Sequence, residues 1–191
     1  VGLDNPNNGG VFASQGLTEK EDGSRSWWPV SLQYRPYTAD GENVRKTSIA
    51  GDTQPDGSKE NRSYYGAQSQ ISNESSLDAF QRAVDAVKAS GKDIPVVSLV
   101  SIVNGMVIPA EFEADSDAII VGFSVTDATL LDVALGITDS SGRLPLGMPA
   151  SMDAVEASFE DLEKDVDSYK DAAGNVYEYG FGLSCSGDPI K

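Results

Sequence analysis

The 191-residue sequence contains no histidine and a single cysteine, Cys185. Without an imidazole, Ser-His-Asp and Cys-His nucleophilic catalysis are excluded, as are metal sites built on histidine ligands. One thiol cannot close a disulfide within the chain and does not fix a redox compartment. Basic residues are scarce, 14 against 30 acidic ones, for a formal net charge of −16. Such a charge repels phosphates and anionic lipid, so neither nucleic acid nor a membrane is an expected partner. No apolar run approaches the roughly 18 residues of a membrane-crossing helix. The opening "VGLDNPNN" lacks the pattern of a signal peptide and reads as the end of a strand, as expected of an incomplete chain. What remains for chemistry is carboxylates.

The hydrophobic fraction, 39%, fits one domain carrying long polar loops. Residues 1–75 are mostly irregular, with strong turn signals in "NPNNGG" and "GDTQPDGS"; "WWPVSLQYRPYTA" (27–39) is extended and can hold a short strand. A structureless stretch this long is usually functional, disordered or cut from its context. The pattern changes at Ser75. "SSLDAFQRAVDAVKASG" places Leu77, Phe80, Ala83, Val84 and Val87 on one helical face, with Ser75 as the expected cap and Gly91 as the stop. "IPVVSLVSIV" (94–103), ended by "NG", and "AIIVGF" (118–123) read as parallel strands buried on both faces. "MVIPAEFEADSD" between them is expected to hold a crossover helix. "TDATLLDVALG" (126–136) is a second helix, capped by Thr126 or Asp127, and "DAVEASFEDLEKD" (153–165) a third, at the surface. "GRLPLGMP" is extended, confined by its prolines to an edge or crossing segment. Alternating buried strands and helices predict an α/β fold: a three-layer α/β/α sandwich with a mostly parallel sheet. The expected organisation is a loop-rich region over 1–75, a core over 76–187 and a tail over 188–191. Glycines in "NNGGVF" and "YGFGLS" lack the strand–loop–helix setting of a phosphate loop, so no nucleotide is expected.

Three stretches in order, "EADSDAIIVGF", "LLDVALGITDSSGRLPLGMP" and "YEYGFGLS", carry a resemblance. The matching residues are Asp117–Ala118–Ile119–Ile120, Ser141–Gly142–Arg143–Leu144–Pro145, Pro149, and Gly180–Phe181–Gly182–Leu183–Ser184. Together they resemble the C-terminal α/β sandwich domain of glycoside hydrolase family 3, which includes many β-glucosidases. The resemblance covers about residues 92–185; upstream it is weaker, and residues 1–75 resemble the long loop region that overhangs the active site in some members. The chain departs from the family pattern after its two strands, where "IVNGMVI" stands in place of the usual "SGRP" and "SVTDATLLD" in place of the usual glycine-rich "GxEGGxA", and sugar contacts at those strand ends are in doubt.

The resemblance implies a retaining glycosidase acting on terminal non-reducing sugars of an oligosaccharide or glucoside, without a cofactor. Two carboxylates would do the work: a nucleophile, and an acid/base that protonates the leaving oxygen. It also implies that the nucleophile belongs to an N-terminal (β/α)8 barrel of about 250 residues, a partner domain this chain does not contain. A periplasmic or secreted parent is implied as well. The acid/base in many members is a glutamate on a loop of the α/β domain. That role falls here on Glu19 or Glu21 in "GLTEKEDGSRSWWP", with Arg25, Trp27 and Trp28 as sugar-binding neighbours. Adjacent tryptophans are not expected to serve one sugar together. An apolar wall beside a carboxyl group raises its pKa, as a general acid requires; Arg25 could instead hold it ionised. The competing reading of this stretch is a solvated acidic loop. For the remaining candidates the structural reading is preferred: cap and surface for Asp127 and Asp132, turn or ion pair for Asp117, an ion pair for Arg143, core or interface for Tyr177, Tyr179 and Phe181, packing for Cys185. An alternative for the whole chain is a non-catalytic carbohydrate-binding or subunit-interaction module of the same fold.

Overall fold

The computed structural model describes residues 1–4, 6, 16–23, 25–103, 105–159, 161–162 and 164–190. The "NNGGVF" stretch and Asn104 of "NG" lie outside these residues. The architectural centre is a three-stranded parallel sheet in the order β1–β4–β5, made of β1 (Gly2–Leu3), β4 (Val97–Ile102) and β5 (Ala118–Phe123). Gly2 and Leu3 pair with Leu99 and Val100, and Val97–Ile102 pairs in step with Ala118–Phe123. A separate antiparallel hairpin, β2 (Leu17–Glu19) and β3 (Arg25–Trp27), precedes the long connection to α1 (Glu74–Ser90). α2 (Asp127–Ala134) follows β5, and α3 (Met152–Ala157) is a short final helix.

Side chains alternate along β4, and the alternation decides which face is closed. Ser98, Val100 and Ile102 are fully buried, while Val97, Leu99 and Ser101 are only partly so. The closed face packs on Leu77, Phe80 and Val84 of α1, together with Leu3, Tyr34, Met106, Phe112 and Met148. Tyr34 and Phe80 both meet Phe112 edge-on, with ring centroids 6.1 and 6.4 Å apart, the arrangement ring quadrupoles favour. On the other face α2 lays Leu130 against Gly122, where an added Cβ would lie 2.8 Å from a Leu130 methyl. The sheet is therefore mostly parallel, with α-helices packed on it, an α/β arrangement. The two-sided burial expected of both strands is not seen: α2 is eight residues long and leaves much of the second face open.

Three local expectations change. Asn73, not Ser75, precedes the first helical residue, and the Ser75 hydroxyl donates to Asn73 Oδ1 at 3.3 Å. The β4–β5 crossover holds two 3-10 turns, Pro109–Glu111 and Glu113–Asp115, where a helix was expected; the run between Ile108 and Ser116 is broken at Phe112, whose φ of −145° lies outside the helical range. α3 stops at Ala157 because Ser158 turns extended and the Phe159 N–H bonds to Asp165. Phe159 and Leu162, which a longer helix would have buried, are exposed.

The motif segments lie side by side. Leu144 N donates to Phe181 O, Gly180 N to Leu144 O and Met148 N to Tyr177 O, each at 2.8 Å. Gly182 sits where a Cβ would fall 2.6 Å from Gly142 O and 3.2 Å from Arg143 Cα. A side chain at 182 would push "SGRLP" away from "YGFGLS". Tyr177 packs against the main core and stacks on Phe181 with centroids 5.3 Å apart. Tyr179 is half exposed beneath Lys164. Arg143 makes no ion pair among the described residues. Asp117 accepts a hydrogen bond from Val96 N at 2.7 Å and so braces the strand start. Thr126 is the cap of α2. Cys185 is exposed, contrary to a packing role.

Candidate functional site

Period-two geometry sorts the hairpin side chains. The register Leu17–Trp27, Thr18–Ser26, Glu19–Arg25 puts Leu17, Glu19, Arg25 and Trp27 on one face and Thr18 and Ser26 on the other. Trp28 belongs with the second set: its indole N–H donates to Thr18 Oγ1 at 3.1 Å, and its backbone N–H donates to Gly16 O at 2.9 Å. The two tryptophans thus face opposite ways. Glu19 stands directly across from Arg25 and diagonally from Trp27. Glu21 lies beyond the strand, in a turn closed by Gly23 N on Lys20 O at 2.9 Å. Both glutamates are exposed. Of the wall proposed for a general acid, only the Trp27 ring shares a face with Glu19.

A second hairpin completes the cluster. Residues 52–60 fold back on themselves through Glu60 N to Asp52 O, Gln54 N to Ser58 O and Gly57 N to Gln54 O, at 2.8–2.9 Å. Pro55-Asp56-Gly57 is a three-residue loop with glycine at positive φ, a favoured hairpin connection. Asp56 caps it by accepting from Ser58 N and Oγ, which holds its carboxyl below the usual range. Closure brings Asp52 and Glu60 together. Arg62 bridges them, Nη2 to Asp52 at 2.8 Å and Nε to Glu60 at 2.9 Å. Those contacts, the Glu60 bond first, raise the guanidinium pKa further. The Arg62 guanidinium also lies over Trp27, 5.2 Å from the ring centroid. Arg25 points to the same two carboxylates, at 3.8 Å from Asp52 and 4.0 Å from Glu60. Glu60 is the most sheltered of the set, its side chain 17% exposed against 70% for Asp52.

Trp27 and Arg25 of one hairpin are therefore brought against Arg62, Asp52 and Glu60 of the other, with Glu19 on the same face as Trp27. Guanidinium donors and carboxylate acceptors around an aromatic plane can bind a polyhydroxylated ring, whose C–H face stacks while its hydroxyls pair at the rim. Asp52, Glu60 and Arg62 were not among the residues singled out from sequence. The readable signal was the Pro-Asp-Gly loop, which predicts that the charged residues flanking it meet.

The chain also has a shallow pocket of about 190 Å³ beside β1 and β4, lined by Leu3, Asp4, Leu99, Ser101, Asp127 and Leu130 among others. It is smaller than the ~300–1,000 Å³ of typical ligand sites. Among the described residues no group of histidine, cysteine, aspartate and glutamate is arranged to hold a metal ion. No helix of the described chain is long and apolar enough to cross a membrane.

What the fold and this loop pair define is an α/β domain bearing a polar–aromatic surface. One segment is 38% identical over 77 residues to Beta-glucosidase C of Emericella nidulans, covering 40% of this chain and 11% of that protein. Probable beta-glucosidase C of Aspergillus flavus and of Aspergillus oryzae are each 35% identical over 78 residues, again covering 11% of their length. The chain thus matches only a small part of these relatives. No family model matches it, and no solved structure does. The similarity supports a glycosidase-related role.

Proposed function

We propose that this chain is part of the C-terminal α/β sandwich domain of a β-glucosidase-like enzyme of glycoside hydrolase family 3. The observation that carries the reading is the segment shared with proteins named beta-glucosidase C; the Trp27 cluster supports it. The parent hydrolyses O-glycosidic bonds at non-reducing ends with retention, and its sheet is the middle layer of three. The barrel domain of the same enzyme supplies the carboxylate nucleophile. Glu19 or Glu21, held on the hairpin, donates a proton to the departing oxygen and then accepts one from water. Trp27 stacks on the sugar, Arg25 pairs with its hydroxyls, and Trp28, tied to Thr18, fixes the hairpin or contacts a neighbouring ring.

The experiment is hydrolysis of two aryl β-glucosides by the parent enzyme carrying Glu19→Gln or Glu21→Gln. One substrate has a poor leaving group and one a good one. Loss of the true acid/base lowers kcat/KM for the first by about 10²- to 10⁴-fold and spares kcat/KM for the second, whose departing group needs no protonation. Equal losses on both substrates, or none, would remove the acid/base assignment. The 191-residue chain alone should be nearly inactive. Turnover by it that Glu19→Gln abolishes would contradict a nucleophile located elsewhere.

A further inference from the structure

The sugar reading leaves unexplained why a guanidinium lies on the ring that would stack. We propose that Arg62 is a displaceable cover on Trp27, carried by the 52–60 hairpin, and that a neutral sugar must move it aside to bind. The inference rests on the reading of Trp27 as a sugar platform.

The 52–60 hairpin is internally braced: besides its backbone bonds, Lys59 Nζ bonds to Thr53 Oγ1 at 2.7 Å. Its root is fixed by Ser48, whose hydroxyl accepts from Arg62 N at 2.8 Å and donates to Ala50 O at 2.8 Å. Residues 52–59 are all exposed, so the hairpin projects into solvent. It meets the β2–β3 hairpin through Arg25, at 3.8 and 4.0 Å from Asp52 and Glu60, and through Arg62 over Trp27. Charge contacts as long as these are weak and screened by salt, and a single cation–π contact between half-buried groups is modest. Arg62 keeps both carboxylate partners if it swings off the ring, because both belong to its own hairpin. The covered and open arrangements therefore differ by few interactions, the condition for a ligand to choose between them.

The test uses the full chain with Trp28→Phe, leaving Trp27 as its single tryptophan. Acrylamide quenching of Trp27 and its fluorescence titration with cellobiose are compared with and without Arg62→Gln. Asp52→Asn, which loosens the latch without touching the ring contact, is a second variant. A cover predicts that Arg62→Gln raises the quenching constant about twofold and tightens cellobiose binding several-fold, with Asp52→Asn shifting both the same way by less. Weaker binding in Arg62→Gln would make Arg62 a sugar contact and overturn the cover. Unchanged quenching and binding would overturn it as well. Cellobiose binding that Trp27→Ala leaves intact would instead sink the platform reading, whatever Arg62 does. Absence of binding in every variant would sink both.

Discussion

Glu111 is the residue whose removal should most clearly separate burial from hydrogen bonding. It ends the first 3-10 turn of the crossover, and its carboxylate accepts from Tyr34 N at 2.5 Å and Arg35 N at 3.0 Å. It thereby pins the connection after β3 to the β4–β5 crossover. Tyr34 is fully buried, whereas Arg35 is exposed. In Glu111→Ala the Arg35 N–H can turn to water, but the Tyr34 N–H is orphaned, at about 1–3 kcal/mol, in addition to a lost charge-assisted bond. The expected destabilisation is about 2–4 kcal/mol, and about 1 for Glu111→Gln, whose carbonyl keeps one acceptor. Burial, partly offset by the two N–H donors and Arg35, raises the Glu111 pKa. The folded protein therefore holds this proton more tightly than the unfolded chain. The associated stability is complete below the unfolded value, about 4.3, and is lost as pH rises through the folded one. Wild type should lose ground to Glu111→Gln across that window and then level off. Urea denaturation of the three proteins between pH 3.5 and 8 measures both effects. A Glu111→Ala protein within about 0.5 kcal/mol of wild type would refute the bracing argument. A wild type that gains on Glu111→Gln with rising pH would show that the N–H donors outweigh burial.

Other perturbations have distinct signatures. The Tyr34 hydroxyl is buried without a hydrogen-bond partner among the described residues. Tyr34→Phe should therefore be neutral or stabilise by up to about 1 kcal/mol in thermal unfolding; a loss would reveal a partner. Phe80 is fully buried against Phe112, and Phe80→Ala should cost about 3–5 kcal/mol, read as a lowered urea midpoint. A Cβ at Gly51 would lie 2.0 Å from Glu60 O. Gly51→Ala should dislodge the 52–60 hairpin, increasing Trp27 quenching while leaving the melting temperature nearly unchanged, because the hairpin is exposed and outside the core.

Elements with strong periodicity were legible in the sequence. Residues 118–123 form β5 at the bounds expected, and Leu77, Phe80 and Val84 of α1 face the core as their spacing requires. Where prediction failed, local pattern was not matched by burial: the 153–165 segment has helical spacing, but Phe159 and Leu162 stay exposed. The crossover failed for the opposite reason, since Phe112 reaches the core from a turn without a helix. In the site, hydrogen bonding within the hairpin was hidden from sequence because "GLTEKEDGSRSWWP" shows no alternation long enough to read. The partnership of Arg62 with Trp27 spans 35 positions and depends on how two loops meet, which no local pattern encodes.

The opposed tryptophans have a consequence for how this surface can diversify through descent. In a two-stranded ribbon, one residue inserted within a strand exchanges its two faces. Such an insertion in 17–19 or 25–27 would turn Glu19 or Trp27 away from Arg62 and bring Thr18 or Ser26 in its place. Residues 20–24 lie between the paired strands, so length changes there leave the facing intact. Among descendants of this sequence, the turn is free to lengthen or shorten while the strands flanking it keep their count.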